Sequence, residues 1–512
     1  MDLGTTFSAV AHIDPYGKPQ IIPNSENERI TPSVILFEAG NAVVGSVARN
    51  SAVAEPEKIV DFVKREMGKP KEHFHREFNG KKYSAEELSA IILMKLKNDA
   101  EKYLKEPVTD VVITVPAYFN DAERTATITA GQLAGLNVLR IVNEPTAAAL
   151  AYGLDKLDET QTVFVFDLGG GTFDVTIMRI EAHKLNIIAT NGDHRLGGKD
   201  WDDVIVNLVA EEFDRQHGEN PLLDLQSYQD LQTRAVAAKI QLSNRPQAAI
   251  VHQHHGKSVK LDVTREEFER RSRHLIEKCK VICEMTMQEA NLKWPDISKV
   301  LLVGGMTRMP MVRQMIEEVA NTPVVNEVNP DEAVAMGAAV QATLSMLTEE
   351  ETSGEKLLAD TTREKFSSRE GGLIQVNDIT SHTLGVVLWD ETNLEEYVFP
   401  MIRKRTVIPA TAKNLFGTAN ANMARAVVKI VEGESSLPAE CTPLGVCDVT
   451  LPPFLPKGSP VHLSYQYNTN QVLEVAVEAC GQRSQLVIER NTGLAHSEIP
   501  QAATSLGELK IE

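Results

Sequence analysis

The chain is 512 residues long, 42% hydrophobic and 5% aromatic, enough apolar material for the cores of roughly two to four domains. With 52 basic against 71 acidic residues it carries a net charge of -19, which repels phosphate backbones and anionic lipid and excludes general nucleic-acid or membrane-surface binding. No stretch is apolar over a membrane-spanning length and the start carries no signal peptide, so a cytoplasmic location is expected.

The chain opens on Asp2-Leu3-Gly4-Thr5-Thr6, an acidic residue, leucine, glycine and two hydroxyls leading into an apolar strand. Ser84-Ala85-Glu86-Glu87 is a capping box that predicts an amphipathic helix to about Leu104. "VTDVVITVPAYFN" reads as a strand followed by the helix "DAERTATITAGQLAG", and "LRIVNEPTAAALAYGL" repeats the pattern, as βαβ architecture requires. "VFVFDLGGGTFDVTIM", Val163 to Met178, then predicts a hairpin whose turn is Gly169, Gly170 and Gly171.

A glycine cluster alone is ordinary turn chemistry. Here Asp167 and Asp174 flank it, with Thr172 between them. Glycines let backbone N–H groups close on an anion, and carboxylates beside such a nest call for a cation; phosphate with magnesium supplies both. Asp167-Leu168-Gly169 repeats the order of Asp2-Leu3-Gly4, which predicts two similar lobes, each offering a phosphate-gripping hairpin to one cleft. No Walker-type loop, with a glycine five residues ahead of Gly-Lys-Ser/Thr, occurs, so a P-loop fold is disfavoured.

Further along, "VLLVGGMTRMPMVRQMIEEVA" is strand, glycine pair and helix, a place for a nucleotide to lie against backbone N–H groups. "NEVNPDEAVAMGAAVQATL" predicts another capped helix. Residues 346–373 are polar and acidic and read as a linker. Beyond it, short alternating runs such as "RAVVKIVEG", "PVHLSYQYN" and "VLEVAVEA" predict an all-β sandwich, ending in a tail interrupted by Pro500.

Cys279, Cys283, Cys441, Cys447 and Cys480 lack metal spacing and read as reduced, buried thiols. His252, His254 and His255 in "VHQHHGK" could bind a metal, but with no carboxylate or cysteine near them in sequence a solvated strand edge is expected.

With "DLGTT", "VITVPAYFND", "IVNEPTAAALAYGL", "FDLGGGTFDVTIM", "GDHRLGG", "VGGMTRMP" and "NPDEAVAMGAAVQA" in that order, the chain resembles the DnaK-type heat-shock 70 kDa chaperone family. The resemblance implies an α/β, two-lobed, actin-like ATPase domain over residues 1–345, the acidic linker at 346–373, a peptide-binding β-sandwich at 374–497 and a truncated lid at 498–512. It implies ATP and Mg2+ as cofactors, with Asp2 and Asp167 holding the metal through waters, and Gly4, Thr5, Thr6, Gly169, Gly170, Gly171 and Thr172 around the phosphates. Asp174 would position the attacking water, Lys64 would neutralise charge on the γ-phosphate, and Glu144 and Pro116 would link nucleotide state to the second domain. Lys239, Ser243, Gly304, Gly305, Arg308 and Asp331 match the adenosine site. In the sandwich, Trp389 and Ala419 match an arch over a bound peptide, and Val386, Phe416, Ala426 and Val428 match its pocket.

Expected partners are unfolded or extended peptides, a J-domain co-chaperone and a nucleotide-exchange factor. Several positions depart from the family's pattern. Val236 stands where a glutamate usually meets the ribose, and Phe7 where relatives often carry a polar or tyrosine side chain. The first strand starts one residue before Asp2, and the connector Ile374-Gln375-Val376-Asn377-Asp378 is half polar, so weaker interdomain coupling is expected. With the helical lid expected to be missing, rapid peptide exchange is expected too. An ATP-hydrolysing chaperone is the reading that follows. An ATP-binding regulator of another chaperone, or a metabolite kinase, would share the same nucleotide fold.

Overall fold

Eight consecutive buried residues, Gln161–Leu168, form an interior strand of a five-stranded sheet, the continuous run of a strand covered on both faces. In this computed structural model Phe173–Glu181 pairs with it antiparallel, placing Asp167 opposite Asp174, and Lys299–Val303 pairs with it parallel on the other side. Lys184–Asp193 and then Gln375–Asn377 complete the sheet. Helices Gly198–His217, Leu225–Asn244, Arg265–Ala290 and Pro310–Ala320 share one apolar core with it, centred on Phe166, Phe173, Trp201 and Phe213. The structure describes residues 1–512 apart from 155, 157–158, 321–323, 325–328, 355–357, 359, 368–371, 391, 480–481, 487–492 and 495–496.

A second α/β lobe is built on helices Ala85–Leu104 and Asp121–Leu133. Each starts with a reciprocal cap: Ser84 with Glu87, and Asn120 with Glu123, in which the side chain of one residue accepts the other's backbone N–H. Below the cleft, helix Glu144–Gly153 crosses helix Ala333–Ser353 backbone to backbone. A Cβ at Gly337 would fall inside the main chain of Ala147, so only glycine permits the crossing.

The β-rich part is a sandwich. One sheet runs Glu395–Ile402, Leu384–Asp390, Arg425–Glu432, Thr442–Thr450, the other Ala410–Gly417, Pro460–Tyr467, Leu473–Ala479, Gln482–Leu486. Ile430, Cys447, Tyr465 and Val477 are fully buried between them, and the Tyr465 hydroxyl donates to Gly385 O across the layers at 2.9 Å.

Three expectations drawn from composition are corrected. Residues 346–373 are not a solvated linker throughout: helix Ala333–Ser353 continues through its first part with Leu347 buried, and Phe366 is fully buried in the core beneath the cleft. The acidic side chains misled because Glu350 is itself nearly buried, with Arg363 at 3.5 Å. Gln375 to Asn377 belong to the five-stranded α/β sheet, not the sandwich, and Ile374 leads into them. Ile374 is buried while Asn377 faces Asn186, its Nδ2 donating at 2.7 Å, so the half-polar pattern is the alternation of an edge strand.

Nor is the tail idle. Pro500 sits in the first turn of helix Ile499–Gly507, where its missing N–H costs nothing, and Leu506 is buried against the helices Ala85–Leu104 and Asp121–Leu133. Lys510–Ile511 then adds a parallel strand beside Asn41–Val44.

The sandwich is docked on the two α/β lobes through polar contacts. Asp121 accepts from Leu473 N at 2.8 Å, Asn143 Nδ2 donates to Asp378 at 2.8 Å, and Lys404 pairs with Glu289 at 2.9 Å. Ser381 Oγ donates to Ala117 O at 2.6 Å, and the His382 ring lies edge-on to Tyr118, centroids 4.2 Å apart.

Cys279, Cys283, Cys441 and Cys447 are buried free thiols, and Cys480 lies outside the described residues. No helix among the described residues is long and apolar enough to cross a membrane.

Candidate functional site

The two glycine hairpins meet tip to tip. A Cβ on Gly170 would fall inside the Thr6 side chain and one on Gly171 inside that of Thr5, so the repeated glycines allow the lobes to close on each other. Asp2 is firmly seated: its backbone exchanges hydrogen bonds with Ala9 at 2.8 and 3.0 Å, and its carboxylate accepts from Thr114 Oγ1 at 2.9 Å. Gly304, at φ 82°, presses on the main chain of Leu168 and Gly169 and brings the glycine pair to the same place.

At the base of the cleft, Lys64 is ion-paired with Glu144, and both are buried. Glu144 starts helix Glu144–Gly153, where a carboxylate also meets the positive helix end. Asp2, Asp167 and Asp174 complete a set of four carboxylates around that one ammonium. Asp167 Oδ2 is buried with no hydrogen-bond partner. Asp174 accepts from Tyr118 N at 3.1 Å.

Burial raises the pKa of all four acids. For Asp167 it is pushed well up, by desolvation first and then by Glu144, Asp174 and Asp2; for Asp174 it reaches about 8. Burial pulls the Lys64 ammonium down, but Glu144 and Asp2 outweigh it and leave its pKa above the ordinary value. A carboxylate set with one lysine and an orphaned oxygen, walled by glycines, is a donor set that fits a hydrated divalent cation with a polyphosphate.

The residues expected around adenosine lie in two groups. Val236, Lys239 and Ser243 lie at i, i+3 and i+7 on helix Leu225–Asn244 and share a face. Lys239 Nζ is paired with Asp202 at 2.8 Å and donates to Gly198 O at 2.9 Å; Ser243 Oγ donates back to Lys239 O at 3.2 Å. Opposite in sequence, Arg308 is ion-paired with Asp331, and Gly305 lies close against that same carboxylate. Sequence reasoning missed Arg65, which donates to Gly171 O at 3.0 Å and pairs with Asp200 at 2.5 Å, joining one lobe to the other's hairpin. Its neighbour Lys64 and the run "GDHRLGGKD" were the available signals.

A family model for the Hsp70 protein matches residues 1–509. The chain belongs to the Hsp70 family. It is 38% identical over 510 residues to the chaperone protein DnaK of Thermotoga petrophila, covering 98% of this chain and 81% of that protein. It is 39% identical over 516 residues to the chaperone protein DnaK of Halobacterium salinarum, covering 98% of this chain and 76% of that one.

The six residues expected to form a peptide site fall in three settings. Val386 and Ala426 are buried in the sandwich core. Phe416 and Val428 stand at its border, Phe416 edge-on to Phe399 with centroids 5.5 Å apart. Trp389, 51% exposed, is the penultimate residue of the strand Leu384–Asp390, and Ala419 lies just beyond the strand Ala410–Gly417, half-buried. Pro116 opens the turn that carries Tyr118, its carbonyl accepting from Phe119 N at 3.2 Å.

The buried acids give this Hsp70 a pH signature. Their folded pKa values lie above those of the unfolded chain, so their contribution to stability is complete below about pH 4 and is lost as pH rises toward 8, where Asp174 ionises. Nucleotide-free protein is expected to lose on the order of several kcal/mol from this source across that window. Urea unfolding between pH 5 and 8.5 measures it; Asp174→Asn should flatten the fall, and a profile identical to the parent's would refute the assignment.

Proposed function

We propose that the chain is an ATP-hydrolysing molecular chaperone, a two-lobed actin-like ATPase whose nucleotide state controls a sandwich that holds extended apolar peptide. The observation that carries this is the path from Asp174 to the sandwich. Asp174 accepts from Tyr118 N, Ala117 O in the same turn accepts from Ser381 Oγ, and the ring of His382 packs on Tyr118. A change at the γ-phosphate end of the cleft therefore has a chain of short contacts to the second domain.

In this reading Asp2 and Asp167 hold the hydrated magnesium, which when bound neutralises phosphate charge. Gly4, Thr5, Thr6, Gly169, Gly170, Gly171 and Thr172 cradle the phosphates. Lys64 stabilises charge developing on the γ-phosphate and Asp174 orients the attacking water. Lys239, Ser243, Gly304, Gly305, Arg308 and Asp331 hold adenosine. Glu144, tied to Lys64 on one side and following Asn143, which donates to Asp378, on the other, relays the state of the site. Peptide lies across Trp389 and Ala419, with one apolar side chain toward Phe416 and Val428. A J-domain protein and an exchange factor complete the cycle in the cytoplasm.

One observation favours a second reading, an ATP-binding regulator with little turnover: Val236, 39% exposed on the adenosine face, offers the ribose no carboxylate. Single-turnover hydrolysis with and without an unfolded peptide separates the two. A chaperone hydrolyses bound ATP and is accelerated by peptide; a flat, near-zero rate in both arms would favour the regulator.

Val236→Glu is expected to tighten ATP binding by roughly 1.5–3 kcal/mol through a charged acceptor for a ribose hydroxyl, about ten- to a hundredfold in Kd. Calorimetry reads this directly. Unchanged or weaker binding would mean that the ribose lies elsewhere.

A further inference from the structure

Strands Gln247–His254 and Lys257–Thr264 form a hairpin joined by the two-residue turn His255-Gly256. Both turn residues have left-handed φ, 47° and 76°, as this tight turn requires. In a continuous strand His254 and His255 would face opposite ways. The turn at His255 cancels that alternation and lays the two rings together, centroids 3.8 Å apart.

The expectation of a solvated histidine edge is corrected on two counts. His252 is fully buried and committed, with Ser227 Oγ at 2.9 Å from one ring nitrogen and Asp230 at 2.9 Å from the other. His254 is buried too, edge-on to Phe213, whose ring His217 also meets.

The carboxylate absent from the local sequence arrives from another element. Helix Gly198–His217 ends at Gly218, φ 69°, and the next residue, Glu219, reaches the hairpin tip. One oxygen of Glu219 pairs with Lys257 Nζ at 2.6 Å. The other is shielded from solvent, accepts no hydrogen bond and lies 3.7 Å from His255 Nδ1. One donor atom each from Glu219, His254 and His255 lies within 4.8 Å of the other two.

We propose that Glu219, His254 and His255 form a site for one imidazole-preferring divalent metal ion of the zinc, nickel or copper(II) class, which clamps the hairpin tip to the end of the helix. Two imidazoles and a carboxylate are a common ligand set for zinc, with a fourth position left for water. Bonds of about 2.0–2.1 Å in a tetrahedron put ligands about 3.4 Å apart, so the set must contract by about an ångström. His255 can supply this, because its side chain is 70% exposed and held only by stacking on His254 and its 3.7 Å approach to Glu219. Magnesium prefers an all-oxygen octahedron, so this site and the carboxylate cleft take different ions. Lys257 opposes the metal, since its ammonium competes for Glu219.

That opposition provides a test that chance binding to surface histidines would fail. The tag-free, chelator-treated full chain is titrated calorimetrically with zinc in excess magnesium. One equivalent should bind, His255→Ala and Glu219→Gln should each weaken binding by about tenfold or more, and Lys257→Gln should tighten it. Thermal melts of the metal-free variants check that all remain folded, and cobalt absorption of the parent reports the coordination number. No binding at micromolar zinc, or equal affinity in the parent, His255→Ala and Glu219→Gln, would overturn the proposal.

Discussion

Lys64→Ala is expected to slow single-turnover ATP hydrolysis by about 10²–10³-fold, the loss that follows removal of one preorganised charge from a dry site. Lys64 is the lysine set among Asp2, Glu144, Asp167 and Asp174, and all but the half-buried Asp2 are buried. Removing it leaves Glu144 as a buried carboxylate without its partner. The nucleotide-free variant should therefore also lose about 3–5 kcal/mol of stability relative to the parent near neutral pH. Magnesium and ATP should restore part of that loss by supplying the missing positive charge. An unchanged single-turnover rate, measured with ATP bound to saturation, would remove Lys64 from the reaction whatever happens to stability.

The second large effect is expected at Ile374→Asp. Ile374 is 5% exposed in the core beneath the cleft, and its N–H donates to Phe366 O at 3.1 Å. A carboxylate there costs several kcal/mol, on the order of the whole energy holding three residues at a sheet edge. The strand Gln375–Asn377 should leave Lys184–Asp193, and the sandwich should separate from the ATP lobes. Release of a fluorescent apolar peptide should then be insensitive to ATP, while basal hydrolysis persists. Gln375→Asp is the control, since Gln375 faces solvent on the same strand. Hydrogen exchange across 375–378 reports the detachment. ATP-dependent release that survives in Ile374→Asp would show that the polar contacts at Asp121, Asn143 and Lys404 couple the domains without the strand.

Much of the candidate site's geometry was legible because its determinants are local. A buried strand, a three-glycine turn and flanking aspartates lie within Val163 to Met178, and backbone geometry fixes their mutual placement: Asp167 faces Asp174 by hairpin register. The cap at Ser84 was legible for the same reason, needing only residues three apart, whereas the equivalent pair Asn120 and Glu123 was shown by the structure. The acidic stretch at 346–373 was misread because composition registers charge, while one buried Phe366 and one Glu350–Arg363 pair decide where the chain lies.

By itself the sequence determined the lobes, the hairpins, the sandwich and the kinds of side chain brought to the cleft, because strand period, helix caps and glycine turns act over a few bonds. Tertiary structure decided which distant groups share one volume. It set Lys64 against Glu144, carried Glu219 to His254 and His255, and put Ile374 into the lobe core. The physical reason is that desolvation and Coulomb energies depend on distance through space, which chain order does not specify until the elements pack.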